Sequence, residues 1–251
     1  VACGFSGPAR PWVGALRDYL LGTRIVNGRG EILRFGGQVM KNVAGYDVSR
    51  LMAGARGTLG VLLDVSFKVL PCPADQRTLR FECPQDEAIR QMNAWSGQPL
   101  PLTGAAWSDD ALWLRLAGAR SEVAEAAKTL DGQSVEDDGS WQALREHEHG
   151  FFAGEAPLWR LSVPPATAPL DLAGACLVDW GGAQRWYRGD EPPERIRGAV
   201  EAAGGHATLF HGQTGIARFH PLPPAAARLQ ERIRLAFDPH GILNRPAEES
   251  A

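Results

Sequence analysis

Glycine placement between Gly36 and Leu70 constrains this chain more than any other feature. The segment GGQVMKNVAGYDVSRLMAGARGTLGVLLDVSFKVL holds Lys41, a Gly45-Tyr46-Asp47 turn, a short helix through Leu51 and Met52, and a Gly57-Thr58-Leu59-Gly60 turn. It then runs into a strand expected over Val61–Val69. Glycines at 45, 54, 57 and 60 mark backbone that turns sharply or presses against something large. Helix packing accounts for Leu51 and Met52 but not for the 57–60 turn. Two readings stand. One is a tight helix-to-strand turn. The other is a turn that lets main-chain groups approach a flat or phosphorylated ligand with no Cβ in the way.

The rest of the chain has two textures. Before Pro71-Cys72-Pro73 it reads as αβ: a helix-forming stretch Trp12–Leu20, a strand Thr23–Asn27, a turn at Asn27-Gly28 and a return strand Glu31–Phe35. The prolines end the strand that precedes them, because proline cannot donate to a ladder. From Gln76 the pattern becomes strand Arg77–Cys83, helix Asp86–Trp95, and hairpin Thr103–Ser108 with Ala111–Leu116 turning at Asp109-Asp110. A helix capped by Ser121, with Val123, Ala126, Ala127 and Leu130 at helical spacing, and a strand ending near Glu136 complete a β-α-β-β-α-β unit. A second copy follows: strand Leu158–Val163, a Pro-rich link, hairpin Ala175–Trp180 with Ala183–Arg188, helix Pro193–Ala203 and strand Ala207–Phe210. In both copies the second turn residue lies 22 residues before the helix-ending glycine, Asp110 to Gly132 and Gly182 to Gly204. Trp107, Trp113, Trp159, Trp180 and Trp186 sit on these strands and read as core. Pro221–Phe237 is a last amphipathic helix, with Leu222, Ala226, Leu229, Ile233 and Phe237 on one face, stopped by Asp238-Pro239.

Net charge of −3, with no run among the 26 Lys and Arg, argues against a nucleic-acid binder. No stretch approaches the roughly 20 apolar residues of a membrane helix. Cys3, Cys72, Cys83 and Cys176 form no C-x-x-C pair, so they read as reduced thiols rather than a disulfide framework, zinc knuckle or iron–sulfur motif. No metal site is expected.

The glycine segment resembles the FAD-linked oxidase family that includes vanillyl-alcohol oxidase, D-lactate dehydrogenase and glycolate oxidase. The matching residues are Lys41, Gly45-Tyr46-Asp47-Val48 and Gly57-Thr58-Leu59-Gly60-Val61. Within that family the chain is similar to the FAD-binding subunits of glycolate oxidase. Val1-Ala2-Cys3-Gly4-Phe5-Ser6-Gly7-Pro8, Arg17-Asp18, Gly205–Phe210 and Phe237–Asn244 carry that likeness from the first residue to the last ten. The chain departs from the family in Asn244-Arg245-Pro246 and in Ala55-Arg56-Gly57. The resemblance implies an α+β fold: the second half of a PCMH-type FAD-binding domain over 1–72, an antiparallel-sheet cap of two ferredoxin-like βαββαβ units over 73–220, and a helix and tail over 221–251 returning to the first domain. It implies a chain truncated at its N-terminus, with the pyrophosphate loop upstream of Val1.

Oxidation of a 2-hydroxy acid by a flavin needs a dry slot for the ring, a base for the hydroxyl proton and a cation for the carboxylate. By resemblance the FAD-binding candidates are Ala2, Cys3, Gly4, Gly57, Thr58, Gly60, Val61 and the tail residue Asn244. Of six histidines, His206 is the candidate catalytic base; it ends a helix-to-strand turn, where a charged imidazole would suit the helix dipole. His147 and His149 are spaced unlike one helix face, and the family's metal-and-base histidine strings do not occur. The expected function is therefore the FAD-binding subunit of a complex oxidising glycolate or a similar small 2-hydroxy acid. The alternative is a non-catalytic flavin-binding or structural subunit that supports a catalytic sister flavoprotein. Expected partners are a second FAD-binding glycolate oxidase subunit and an iron–sulfur subunit, in the cytoplasm or peripherally at the inner face of the cell membrane. FAD itself is expected to be absent from, or weakly held by, the chain as it stands.

Overall fold

The computed structural model describes residues 1–37, 46–136, 138–212 and 215–244. In chain order the elements are α1 (Arg10–Val13), α2 (Leu16–Tyr19), β1 (Leu20–Val26), β2 (Ile32–Gly36), α3 (Val48–Met52), β3 (Val61–Phe67), β4 (Asp75–Glu82), α4 (Gln85–Ser96), β5 (Leu102–Ser108) and β6 (Ala111–Gly118). There follow α5 (Arg120–Leu130), β7 (Gln133–Val135), α6 (Ser140–Glu146), β8 (Leu158–Ser162), β9 (Ala175–Asp179), β10 (Gln184–Arg188), α7 (Pro193–Ala202), β11 (His206–His211) and α8 (Pro224–Phe237). Packing divides these into one unit of residues 1–6, 14–71 and 221–251, and a second of 7–13 and 72–220.

The first unit is a three-stranded antiparallel sheet, β2-β1-β3. β1 buries Leu20 and Ile25, and Ile25 joins Met52 of α3 and Leu59 in a small core. Ile233 and Phe237 of α8 close that core, Phe237 meeting Phe35 edge-on at 6.1 Å. The helix begins at Pro224, not Pro221, and only its C-terminal half packs: Leu222 and Leu229 are 50% and 57% exposed, against the expectation of one continuous buried face.

The second unit is an eight-stranded antiparallel sheet in the order β11-β8-β10-β9-β5-β6-β4-β7. Each half has the 4-1-3-2 strand order of a ferredoxin-like unit, and the halves join edge to edge through β5 and β9. The β5–β6 hairpin turns at Asp109 and Asp110, both at positive φ (51° and 55°), as a two-residue primed turn requires. One sheet face carries Leu79, Trp107, Leu112, Leu114, Leu116 and Val178 against α4 and α5. In the other half Trp159, Leu161, Ala207 and Leu209 pack under Ile196 and Val200 of α7.

Two local expectations are corrected. α5 starts after Ala119 with no side-chain cap, so Ser121 lies inside the helix rather than capping it. The Gly181-Gly182 turn is a 3-10 turn over Trp180–Gly182 in which Trp180 takes φ +55°. The second half has the Pro-rich link read from the sequence in place of a first helix. Pro164, Pro165 and Pro169 have no N–H to give a helix ladder, so residues 163–174 stay irregular. Their carbonyls are instead met by side chains of β10. Buried Arg185 donates to Gly182 O (3.1 Å), Ala168 O (3.0 Å) and Thr167 O, and Tyr187 Oη donates to Ala173 O at 2.7 Å.

The sheet face away from α4, α5 and α7 is partly roofed by α6 and a 3-10 turn at Gly150–Phe152, elements with no counterpart in the sequence-based expectations. Trp141 and Leu144 of α6 pack with Ala106, Leu158, Leu177 and Trp186. Burial on both faces is why β5 reads as a nearly unbroken buried strand. Arg188 holds the roof's exit by donating to the carbonyls of Phe151, Phe152, Gly154 and Ala156.

Candidate flavin-binding cluster

Three stretches far apart in the sequence meet in the first unit. The carbonyl of Val1 accepts from Gly4 N (2.9 Å) and Gly54 N (3.1 Å), and Ala2 O accepts from Arg56 N at 2.8 Å. The chains touch so closely that a Cβ on Gly4 would lie 2.9 Å from Gly54 Cα. The α3 turn that leads here starts at Asp47, whose carboxylate accepts from Arg50 N (3.1 Å) and pairs with its guanidinium (3.2 Å). Thr58 returns both its N–H and its hydroxyl to Ala55 O, at 2.9 and 2.6 Å. Asn244 reaches back from the tail and donates from Nδ2 to Arg56 O at 2.9 Å.

Asp238 positions that tail. It is 1% exposed, and its two carboxylate oxygens accept from Ile242 N (3.0 Å) and Leu243 N (2.9 Å). Gly28 N donates to Phe237 O at 2.9 Å, which ties the end of α8 to the β1–β2 turn. Burial pushes the Asp238 carboxyl up, but the Leu243 and Ile242 amides and the Arg234 charge outweigh it and hold it below the usual range. Asp238 therefore does more than stop a helix: it sets the path that delivers Asn244.

The cluster brings together Ala2, Cys3, Gly4, Gly57, Thr58 and Asn244, with Gly60 and Val61 next along the chain. Lys41 and Gly45 lie outside the described residues. The fold supplies its own reason for each glycine. Gly57 takes φ +78°, and a Cβ there would stand 2.9 Å from Asn244 Nδ2. A Cβ on Gly60 would stand 2.9 Å from both Ile25 Cδ1 and Val26 O. What the turn leaves open to a ligand is the exposed Cys3 and Gly54 and the apolar edge at Val61, 55% exposed, and Leu63. These fit one wall of a flat ring's slot. They fit a diphosphate poorly, because the N–H groups of Gly4, Gly54, Arg56 and Thr58 are already taken by carbonyls of this chain.

His206 lies in the second unit, at the start of β11, and is not part of this cluster. Burial, with the charge of Arg160 and of nearby His220, lowers its pKa, so the ring is neutral at neutral pH and can accept a proton. This differs from the charged imidazole expected at the helix end. Its ring centroid is 6.5 Å from that of His220, which accepts from Ala207 N (3.3 Å) and faces Glu201 at 3.0 Å. Among the described residues no group of three His, Cys, Asp or Glu is placed to hold a metal, and no helix is long and apolar enough to cross a membrane. The sequence reading missed Asp238 as the tail's anchor; the signal it carried was an Asp-Pro at the end of an amphipathic helix.

No protein-family model matches the chain. It is 46% identical over 244 residues to glycolate oxidase subunit GlcE of Escherichia coli K12, covering 97% of this chain and 69% of that protein. Over 66 residues it is 44% identical to glycolate oxidase subunit GlcD of Bacillus subtilis 168, covering 26% of this chain and 14% of the relative. Among solved structures, an alkyldihydroxyacetonephosphate synthase superposes with a TM-score of 0.60 at 13% identity, over 96% of this chain and 56% of the synthase. That last likeness concerns the fold alone; the antiparallel sheets and mixed α+β architecture are shared.

Proposed function

Because the chain belongs to the family of the glycolate oxidase subunit GlcE, among the FAD-linked oxidases, we propose that it is the FAD-binding subunit of a complex that oxidises glycolate or a similar 2-hydroxy acid. What supports the reading is the meeting of residues 1–4, the 54–58 turn and Asn244 in one place, joined by backbone hydrogen bonds and the Asn244 amide. Cys3, Gly54 and Val61 would hold one edge of the flavin ring, with Asn244 bracing the turn from behind. When bound, the flavin supplies the two-electron acceptor for oxidation of the substrate's hydroxyl-bearing carbon. This chain's part is to orient the ring, keep water from one edge of it, and offer in neutral His206 a group able to take a proton. FAD is weakly held by these residues alone, because the turn's amides are committed within the chain.

The same observation favours a second reading, in which the subunit braces a catalytic sister flavoprotein and performs no chemistry itself. The partners proposed are a larger flavin subunit of the GlcD kind and an iron–sulfur subunit, and the place is the cytoplasm, with peripheral contact at the inner face of the cell membrane. The deciding experiment co-expresses this chain with both partners, then measures flavin absorbance after gel filtration and glycolate-dependent reduction of an artificial acceptor. Turnover is expected in the complex and not in this chain alone. A complex that turns over equally well with His206→Ala supports the bracing role. A complex assembled without this chain that oxidises glycolate at full rate refutes both readings.

A further inference from the structure

On the open face of the second unit, between the β5–β6 hairpin, β4 and the roof of α6, lies a cleft of about 490 Å³, part of it open to solvent. Its floor and wall are apolar: Ala106, Trp113, Trp141, Leu144 and Leu177. Trp141 is fixed in place, because its Nε1–H donates to Thr78 Oγ1 at 3.0 Å. Ser108 lines the cleft from the end of β5, 7% exposed, on the same strand face as Ala106, and offers a hydroxyl there.

The rim has one sign of charge. Glu136 and Asp138 stand at the mouth, and Asp138 is held ionised below its usual range by the hydroxyl and N–H of Ser140. His149 completes the rim; its Nδ1 accepts from Phe151 N at 3.2 Å. Among the described residues that line the cleft there is no lysine or arginine. Two guanidiniums lie over the rings of Trp113 and Trp141 and have other partners: Arg80 pairs with Glu82 at 2.9 Å, and Arg115 donates to Thr103 O at 2.8 Å.

We propose that this cleft is a second small-molecule site, distinct in chemistry from the flavin cluster, for a compact apolar body carrying a protonated amine. The apolar floor takes the body, Ser108 meets a polar atom within, and Glu136 and Asp138 hold the cation at the mouth. The acidic rim disfavours a carboxylate, so the site is not one for the 2-hydroxy acid, and the inference stands apart from the flavin reading.

The test uses three probes of one shape: benzylamine, benzyl alcohol and benzoate. Each is titrated into the 15N-labelled chain while the indole N–H resonances of Trp113 and Trp141 are followed. Benzylamine is expected to give saturable shifts in the low-millimolar range, about tenfold tighter than benzoate, with benzyl alcohol between them. Added salt should narrow the amine-to-benzoate ratio, because the rim is exposed. Ser108→Phe, checked by circular dichroism, should abolish the shifts by filling the cleft. Should that variant not fold, the exposed pair Glu136→Gln and Asp138→Asn should weaken benzylamine about threefold and leave benzyl alcohol unchanged. Benzoate binding as tightly as benzylamine, absence of saturable shifts with benzylamine, or a folded Ser108→Phe that keeps them would each overturn the proposal.

Discussion

Replacing Gly57 by alanine tests whether the glycine turn is required by the chain itself. Gly57 sits at φ +78° and touches Asn244, so two separate costs arise. Placing an L-residue in the left-handed region costs about 1–2 kcal/mol, offset in part by the stiffer unfolded chain, about 0.4–1 kcal/mol. Moving the Asn244 amide from Arg56 O adds about 0.5 kcal/mol, at the low end because that hydrogen bond is exposed. The expected total is about 0.5–2 kcal/mol, read as a lower urea midpoint with unchanged slope. A double-mutant cycle separates the two causes. In an Asn244→Ala background the penalty of Gly57→Ala should shrink by about 0.5 kcal/mol, leaving the backbone part. A Gly57→Ala protein within about 0.3 kcal/mol of the parent would refute the conformational argument, and an unaltered penalty without Asn244 would refute the contact.

Asp179 is buried beside Trp180 N, which donates to it at 2.7 Å, and burial raises its carboxyl pKa to about 7. A raised acid destabilises the fold once the unfolded chain ionises, so stability contributed here falls as pH climbs from about 4 to 7. Asp179→Asn should therefore stabilise at pH 8 and be near neutral at pH 4; a destabilised variant at pH 8 by urea unfolding would contradict this. Asp238 has the opposite sign: its depressed carboxyl favours the fold at neutral pH, and that contribution is lost in acid as its folded-state pKa is passed, so amide exchange at Ile242 and Leu243 should quicken there. Arg188→Lys cannot satisfy four carbonyls and should open residues 150–156 to trypsin-free proteases such as thermolysin, with cleavage mapped by mass spectrometry. Trp159→Ala, at a 1% exposed position, should cost about 3–5 kcal/mol in the second unit's melting.

Local features were legible in the sequence. The Asp109-Asp110 turn and the helix before Asp131-Gly132 each depend on residues a few positions apart. Features set by distant partners were not. Two readings of the 57–60 glycines stayed open because Asn244, Ile25 and Val26 could not be placed against them from sequence. A Gly60→Val substitution therefore strikes the first unit's own core, and loss of flavin from it would not single out the slot. Arg185, read as one of many scattered cations, replaces a helix because three prolines deny that helix its donors. Residues 7–13 pack with the second unit through Trp180, whose indole donates to Gly7 O at 3.1 Å and whose face carries Arg10 at 4.2 Å; 173 positions separate the hydrogen-bonded pair.

The seam between the two ferredoxin-like halves registers at a single residue pair, Trp107 with Val178, whereas β4 and β6 register over eight residues. A sheet built this way is mechanically uneven. Tension along the strands would part it at β5–β9 before either half unravels, as a page tears along its perforation. Hydrogen exchange should see two opening events rather than one, each half retaining its protected amides after the seam has let go. Trp141 and Leu144, leaning across from α6 onto Ala106 and Leu177, act as the stitch over that perforation.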